Sequence, residues 1–197
     1  MSWASTPWPR QQRLSYIAQP GTTDREPTTA IADWWSTLPM ALAAEECDHL
    51  IATAKTVEPV ASGNGDYYLL DDVLDPDLLA ALVSRLQTAN QQWWNLDTDT
   101  FYVAVKRYRE GEEHSAHIDW VPSHSACRKV VGGWQLTPPD GYAGGDVVIT
   151  YGPHKLTVPR DQGTCFVMPC WTTHEVQQVT AGERWSLIVN GFGPPLR

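Results

Sequence analysis

Apolar positions along the chain repeat with two periods, and the change between them falls near Trp94. From Leu42 to Ala54, the residues Leu42, Cys47, Leu50, Ile51 and Ala54 fall near one helical face. Glu45 and Glu46 come early, where a helix dipole favours acidic side chains. A second helix is announced by Asp75-Pro76-Asp77, after which Leu78, Leu79, Leu82, Val83, Leu86, Ala89 and Trp93 recur at spacings of three and four. Beyond Trp94, β-rich runs take over: Phe101–Tyr108, Ala116–Val121, Arg128–Thr137, Asp146–Tyr151, His154–Val158, Gly163–Met168, His174–Val179 and Arg184–Asn190. EGEE, PPDGYAGG, YGP, PRDQG and TAGE punctuate them as turns. Helices followed by short strands predict an α+β, mainly β fold, with helices packed on a β-sandwich or barrel. Residues 1–30 show no steady period and read as a tail or arm. The rest, 31–197, reads as a single domain with helical support over 31–97 and a strand-built core over 98–197.

Composition narrows the partners. Lys and Arg number 14 against 23 Asp and Glu, a net charge of −9 that counts against a nucleic-acid partner. No apolar run approaches the roughly 18 residues of a membrane helix. The opening MSWASTPWPRQQRLSYIAQPG has no apolar h-region, so cytoplasmic placement is expected. Cys47, Cys127, Cys165 and Cys170 are too sparse for a disulfide scaffold and read as reduced thiols. Cys165-x4-Cys170 lacks zinc-knuckle spacing, which makes small core residues the simpler reading.

The chemistry concentrates in His117-Ile118-Asp119, His174 and Arg184. Residues i and i+2 of a strand share a face, so His117 and Asp119 can address one metal. His174 opens another strand and completes a two-His-one-carboxylate set, which leaves coordination positions open and suits ferrous iron that activates oxygen. Thr180-Ala181-Gly182-Glu183 reads as a hairpin turn that returns Arg184 alongside the strand of His174. A guanidinium there takes a carboxylate bidentately, and Ser186 shares its face. Such a site fits a dicarboxylate keto acid that chelates iron at one end and is clamped at the other. Taken alone, His174 is more often a core histidine; for Arg184 the lesser alternative is a structural ion pair with Glu183 or Glu175.

With these residues in order, the sequence resembles the Fe(II)/2-oxoglutarate-dependent dioxygenases of the prolyl 4-hydroxylase-like branch. Tyr108-x-x-Gly111-x-x-His114-x-x-His117-x-Asp119 is similar to that branch's Y-x-x-G-x-x-Y-x-x-H-x-D segment. Arg128-Lys129, Gln135-Leu136-Thr137, Pro139, Tyr142 and Gly144-Gly145-Asp146 resemble the strand and turn that follow. Gly163, Phe166, Pro169 and His174 match the next block, and Gly182-x-Arg184-Trp185-Ser186-Leu187 the co-substrate clamp. The resemblance covers Phe101 to Pro195 well and Leu42 to Asp97 more loosely.

The resemblance implies a distorted double-stranded β-helix, a jelly roll with N-terminal helices packed on one sheet. It implies Fe(II) on His117, Asp119 and His174, and 2-oxoglutarate held by Arg184, Ser186, Tyr108 and His114. O2 is the oxidant, and ascorbate an accessory reductant. The expected reaction couples decarboxylation of 2-oxoglutarate to succinate with hydroxylation of an unactivated C–H bond. The expected substrate is an amino acid, a peptide or an amino-acid-derived natural product. Retention of Asp119 favours hydroxylation over halogenation. His114 stands where the family commonly has Tyr, at a spacing that faces it away from His117 in a regular strand. Ala61–Asp72 also departs from the pattern and is expected to carry substrate selectivity as a lid. Trp34, Trp35, Trp93 and Trp94 are assigned to helix packing, as is Trp185 to its own strand's packing, whereas Trp120 and Trp171, beside the ligands, are expected to wall the substrate pocket. The alternatives are base oxidation in a nucleic acid by the same chemistry, and a non-catalytic jelly-roll binding module with a decayed metal site.

Overall fold

The structure, a computed structural model, describes residues 36–38, 41–120 and 127–195. The expected arm over 1–30, Trp34 and Trp35 lie outside the described residues. Helix α1 (Ala44–Ala54) starts two residues beyond Leu42: the Leu42 N–H donates to the Gly163 carbonyl at 3.1 Å, and Ala43 enters the helix in an extended conformation. Glu46 closes the start by accepting from the Ala43 N–H at 2.6 Å. Helix α2 (Pro76–Trp93) is capped by Asp75, whose Oδ1 accepts from the N–H groups of Asp77 and Leu78 at 3.0 and 3.1 Å. Pro76 occupies the first turn, where its missing N–H costs nothing. Leu78, Leu82, Leu86 and Ala89 form the buried stripe of α2, and emptying one such leucine site costs about 2–5 kcal/mol.

Among the described residues, twelve strands form two antiparallel layers. The larger sheet runs β1 (Ser36–Leu38), β10 (Cys165–Pro169), β6 (Arg128–Gln135), β12 (Val179–Phe192), β4 (Thr100–Arg109), β3 (Gly65–Leu69) and β2 (Val60–Ser62), with β7 (Tyr142–Gly144) paired to β12. The smaller runs β5 (His114–His117), β11 (Thr173–Val176), β8 (Val147–Tyr151) and β9 (His154–Thr157). The helices cover the outer face of the larger sheet over a core that includes Leu86, Val105, Trp134, Trp185 and Leu187. A second cluster, with Tyr108, Ile149, Phe166 and Met168, fills the space between the sheets. This is the jelly roll with helices on one sheet. Trp93 and Trp94 pack against the helix-side core, and Trp185 is buried in it. Cys47, Cys165 and Cys170 are buried free thiols, and Cys127 is an exposed one.

Two local expectations need correction. Thr180–Glu183 is not a hairpin turn: Val179–Phe192 is one strand. Its first part pairs with β7, and Glu183 onward pairs with β4, so Arg184 lies beside Tyr108 in the larger sheet while His174 belongs to the smaller. Gly182 (φ 73°) serves a close approach instead, since a Cβ there would stand 2.5 Å from the Gly141 carbonyl oxygen. Val60–Leu69 also forms a β-hairpin on the edge of the larger sheet, where no strand is expected from the sequence.

Candidate active site

β5 ends at His117, and the chain then turns so that the N–H groups of Asp119 and Trp120 both donate to the Cys170 carbonyl at 2.8 and 3.1 Å. Asp119 therefore lies just past the strand rather than within a run to Val121. β11 pairs antiparallel with β5 and sets His174 opposite His117. The ligand atoms of His117, Asp119 and His174 all lie within 4.8 Å of one another. The Nε2 atoms of the two histidines stand 3.6 and 3.9 Å from the Asp119 carboxylate oxygens.

The remaining ring nitrogens test whether this cluster suits a metal. His117 Nδ1 lies 2.8 Å from the Ser115 carbonyl oxygen, and His174 Nδ1 lies 3.0 Å from that of Thr172. A carbonyl only accepts, so both Nδ1 atoms carry the proton and both Nε2 lone pairs face the carboxylate. Burial lowers the His174 pKa and keeps the ring neutral, as ligation requires. Burial alone would raise the Asp119 carboxyl, but the neighbouring His117, His174 and Arg128 side chains lower it to about 2. Arg128 Nη1 is 3.0 Å from Asp119 Oδ1. The donor set fits a divalent transition metal with open positions.

A cavity of about 490 Å³ opens between the sheets and is lined by the cluster on one side. On the other, β12 presents Arg184, Ser186, Ile188 and Asn190, while Trp185, Leu187 and Val189 turn to the helices. Arg184 is buried, donates to Gln135 Oε1 at 2.8 Å and to Ser186 Oγ at 3.4 Å, and leaves Nε without a partner among the described residues. No described carboxylate pairs with it, and an interior guanidinium in that state can take one bidentately. Tyr108, beside it in register, also lines the cavity.

His114 lines the same cavity and stacks on His117. The pairing of β5 with β11 shifts register between His174 and Val176, a bulge that brings both rings to one face. Burial, then the Lys106 charge, presses the His114 pKa to about 3, so the ring is neutral. Trp120 and Trp171 are not among the residues lining the cavity: both flank turns and pack against the inter-sheet cluster. Sequence reasoning missed Gln135, Lys106 and Tyr67. With Ser186 they form a row across β6, β12, β4 and β3. The sequence signal for Lys106 was a lysine directly after the apolar run Phe101–Val105.

Residues 103–191 match the 2OG-Fe(II) oxygenase superfamily. A PKHD-type hydroxylase of Paracoccus denitrificans is 37% identical over 93 residues, covering 41% of this chain and 38% of that protein. One from Methylobacterium nodulans is 43% identical over 53 residues, 26% of this chain and 22% of its own. The chain thus spans well under half the length of these curated relatives. Among solved structures, a Pseudomonas putida prolyl-4-hydroxylase superposes with TM-score 0.69 at 20% identity, covering 84% of this chain and 98% of that one. The viral collagen prolyl hydroxylase of Paramecium bursaria Chlorella virus-1, as its 2OG complex, gives 0.63 at 17%, covering 82% and 96%.

Proposed function

We propose that the chain is a 2OG-Fe(II) oxygenase of the prolyl 4-hydroxylase-like branch, and that it hydroxylates an unactivated C–H bond of an amino acid, a peptide or an amino-acid-derived product while converting 2-oxoglutarate to succinate. The observation that carries the proposal is the facing of two groups across one cavity. These are a His117–Asp119–His174 cluster whose two Nε2 atoms face the Asp119 carboxylate, and a buried arginine that no described carboxylate pairs with.

His117, Asp119 and His174 would hold Fe(II), and the metal with 2-oxoglutarate and O2 supplies the oxidising power that side chains lack. Arg184 and Ser186 orient the co-substrate through its distal carboxylate, and Gln135 fixes the guanidinium plane by accepting from Nη2. Neutral His114 and the Tyr108 hydroxyl complete the donor set around the co-substrate. Apolar Ile188, Val131 and Met168 line the cavity and exclude water. The relatives' names concern hydroxylases, one of them acting on collagen prolines. The acidic balance of this chain supports a small-molecule or peptide substrate over a nucleic acid. None of the described helices is long and apolar enough to cross a membrane, and cytoplasmic placement is part of the same proposal.

The test is succinate formation from 2-oxoglutarate with ferrous iron, with and without oxygen, against a panel of amino acids and peptides. Oxygen-dependent succinate that a panel member stimulates, together with a hydroxylated product by mass spectrometry, is expected. Equal background in wild type and His117→Ala would overturn it.

A further inference from the structure

Lys106 is fully buried, on the inner face of β4, and no described carboxylate pairs with it. Its Nζ lies 3.0 Å from Asn64 Oδ1 and 3.2 Å from the Tyr67 hydroxyl oxygen. The rings of Tyr67 and Tyr108 stand 4.5 and 4.6 Å from the same nitrogen. Among the described residues a neutral amide, a neutral hydroxyl and two ring faces are what touch this nitrogen; Arg184 acts on it with the same sign, and the Asp119 and Glu112 charges oppose that without pairing with it. A buried cation so placed has no contacting counter-anion among them.

The ammonium also fixes a direction. In its protonated form Lys106 has only hydrogens to give, so the Tyr67 oxygen then accepts and its own hydrogen turns elsewhere. Tyr67 lines the cavity, and none of the hydrogen bonds among the described residues takes that hydrogen. Burial, then the Asp119 charge, pushes the phenol to about 12, so it stays a donor at any working pH. The group it addresses is not the one Arg184 holds. Arg184 is on β12 and Tyr67 on β3, two strands apart with β4 between, about 10 Å at ordinary strand spacing.

We propose that Tyr67 is a substrate-binding residue whose hydroxyl donates to a carboxylate of the substrate, and that Lys106 is the positioning residue that sets this polarity and supplies the positive charge behind it. The inference rests on the oxygenase reading only in taking the cavity as the substrate site. It narrows the substrate class to molecules that bring a free carboxylate to the β2–β3 hairpin. A carboxylate arriving there also favours the ammonium form of Lys106, so the donor direction and the ligand support each other.

The test uses N-acetyl-L-amino acids, each as free acid and as N-methylamide, titrated calorimetrically into the full chain. One series contains ferrous iron and 2-oxoglutarate without oxygen, and the other contains metal-free protein. Free acids should bind roughly tenfold more tightly than the amides, the ratio expected for one charged hydrogen bond. Tyr67→Phe should erase that preference. Lys106→Met should erase it too with Tyr67 intact, in protein whose circular dichroism is unchanged. Equal binding of acids and amides by wild type, failure of every probe to bind, or a preference that survives Tyr67→Phe would each overturn the proposal. A preference that persists in metal-free protein, while no ferrous 2-oxoglutarate complex forms, would support it and count against the oxygenase reading alone.

Discussion

The rings of His114 and His117 stack with centroids 3.7 Å apart and planes 23° from parallel, although they stand three positions apart on one strand. An unbroken strand would send them to opposite faces. The bulge against β11 supplies the missing half-turn of the pleat, and with it a neutral imidazole beside the metal cluster. His114→Ala should therefore weaken 2-oxoglutarate binding by about fivefold, the worth of one hydrogen bond, while iron affinity holds. His114→Tyr should restore part of the loss. Titration of the ferrous protein with 2-oxoglutarate measures both.

Gln135 and Arg184 give a sharper test of the carboxylate clamp. Arg184 Nη2 donates to a neutral amide oxygen at 2.8 Å, so the guanidinium keeps its full charge for a ligand. Gln135→Glu places a carboxylate at that oxygen. The variant should bind 2-oxoglutarate at least tenfold more weakly, because the clamp is already neutralised, and should unfold at an equal or higher temperature. Arg184→Met should weaken binding by a larger factor, on the order of a hundredfold.

Lys106 should leave a mark on the pH dependence of stability. Burial, then the Arg184 charge, lowers its folded pKa from 10.5 to about 7. Between those values the unfolded chain holds a proton that the folded chain does not, so this group makes stability rise with pH from about 7 towards 10.5. The destabilisation is complete below 7 and relieved above 10.5. Lys106→Met should accordingly raise the melting temperature more at pH 6 than at pH 10. A gain that is the same at both pH values would show that the lysine is not held against its charge.

The helices and most of the strands were legible because one face of each helix is apolar and the strands are short and turn-bounded. The Asp75 cap and the α2 stripe could be read residue by residue. The metal cluster was legible as a spacing, although Asp119 reaches it from a turn rather than from the strand. What escaped was whatever depends on register. The bulge at β5 changes no residue type. The single strand through Gly182 looks like a turn because glycine there serves a close approach. The β2–β3 hairpin carries Gly63-Asn64-Gly65 and too few apolar positions to alternate. Lys106 sits in a strand buried on both faces, where alternation gives no signal. The expected roles of Trp120 and Trp171 failed for a related reason: adjacency to a ligand in sequence says nothing about direction once the chain turns.

The central claim is that His117, Asp119, His174 and Arg184 together make a ferrous 2-oxoglutarate site. The most direct measurement is the visible spectrum of the protein with Fe(II) under anaerobic conditions as 2-oxoglutarate is added. A saturable charge-transfer band is predicted for the wild type, lost in Asp119→Ala and needing far more 2-oxoglutarate in Arg184→Met. No band in the wild type, or an undiminished band in Asp119→Ala, would contradict the account.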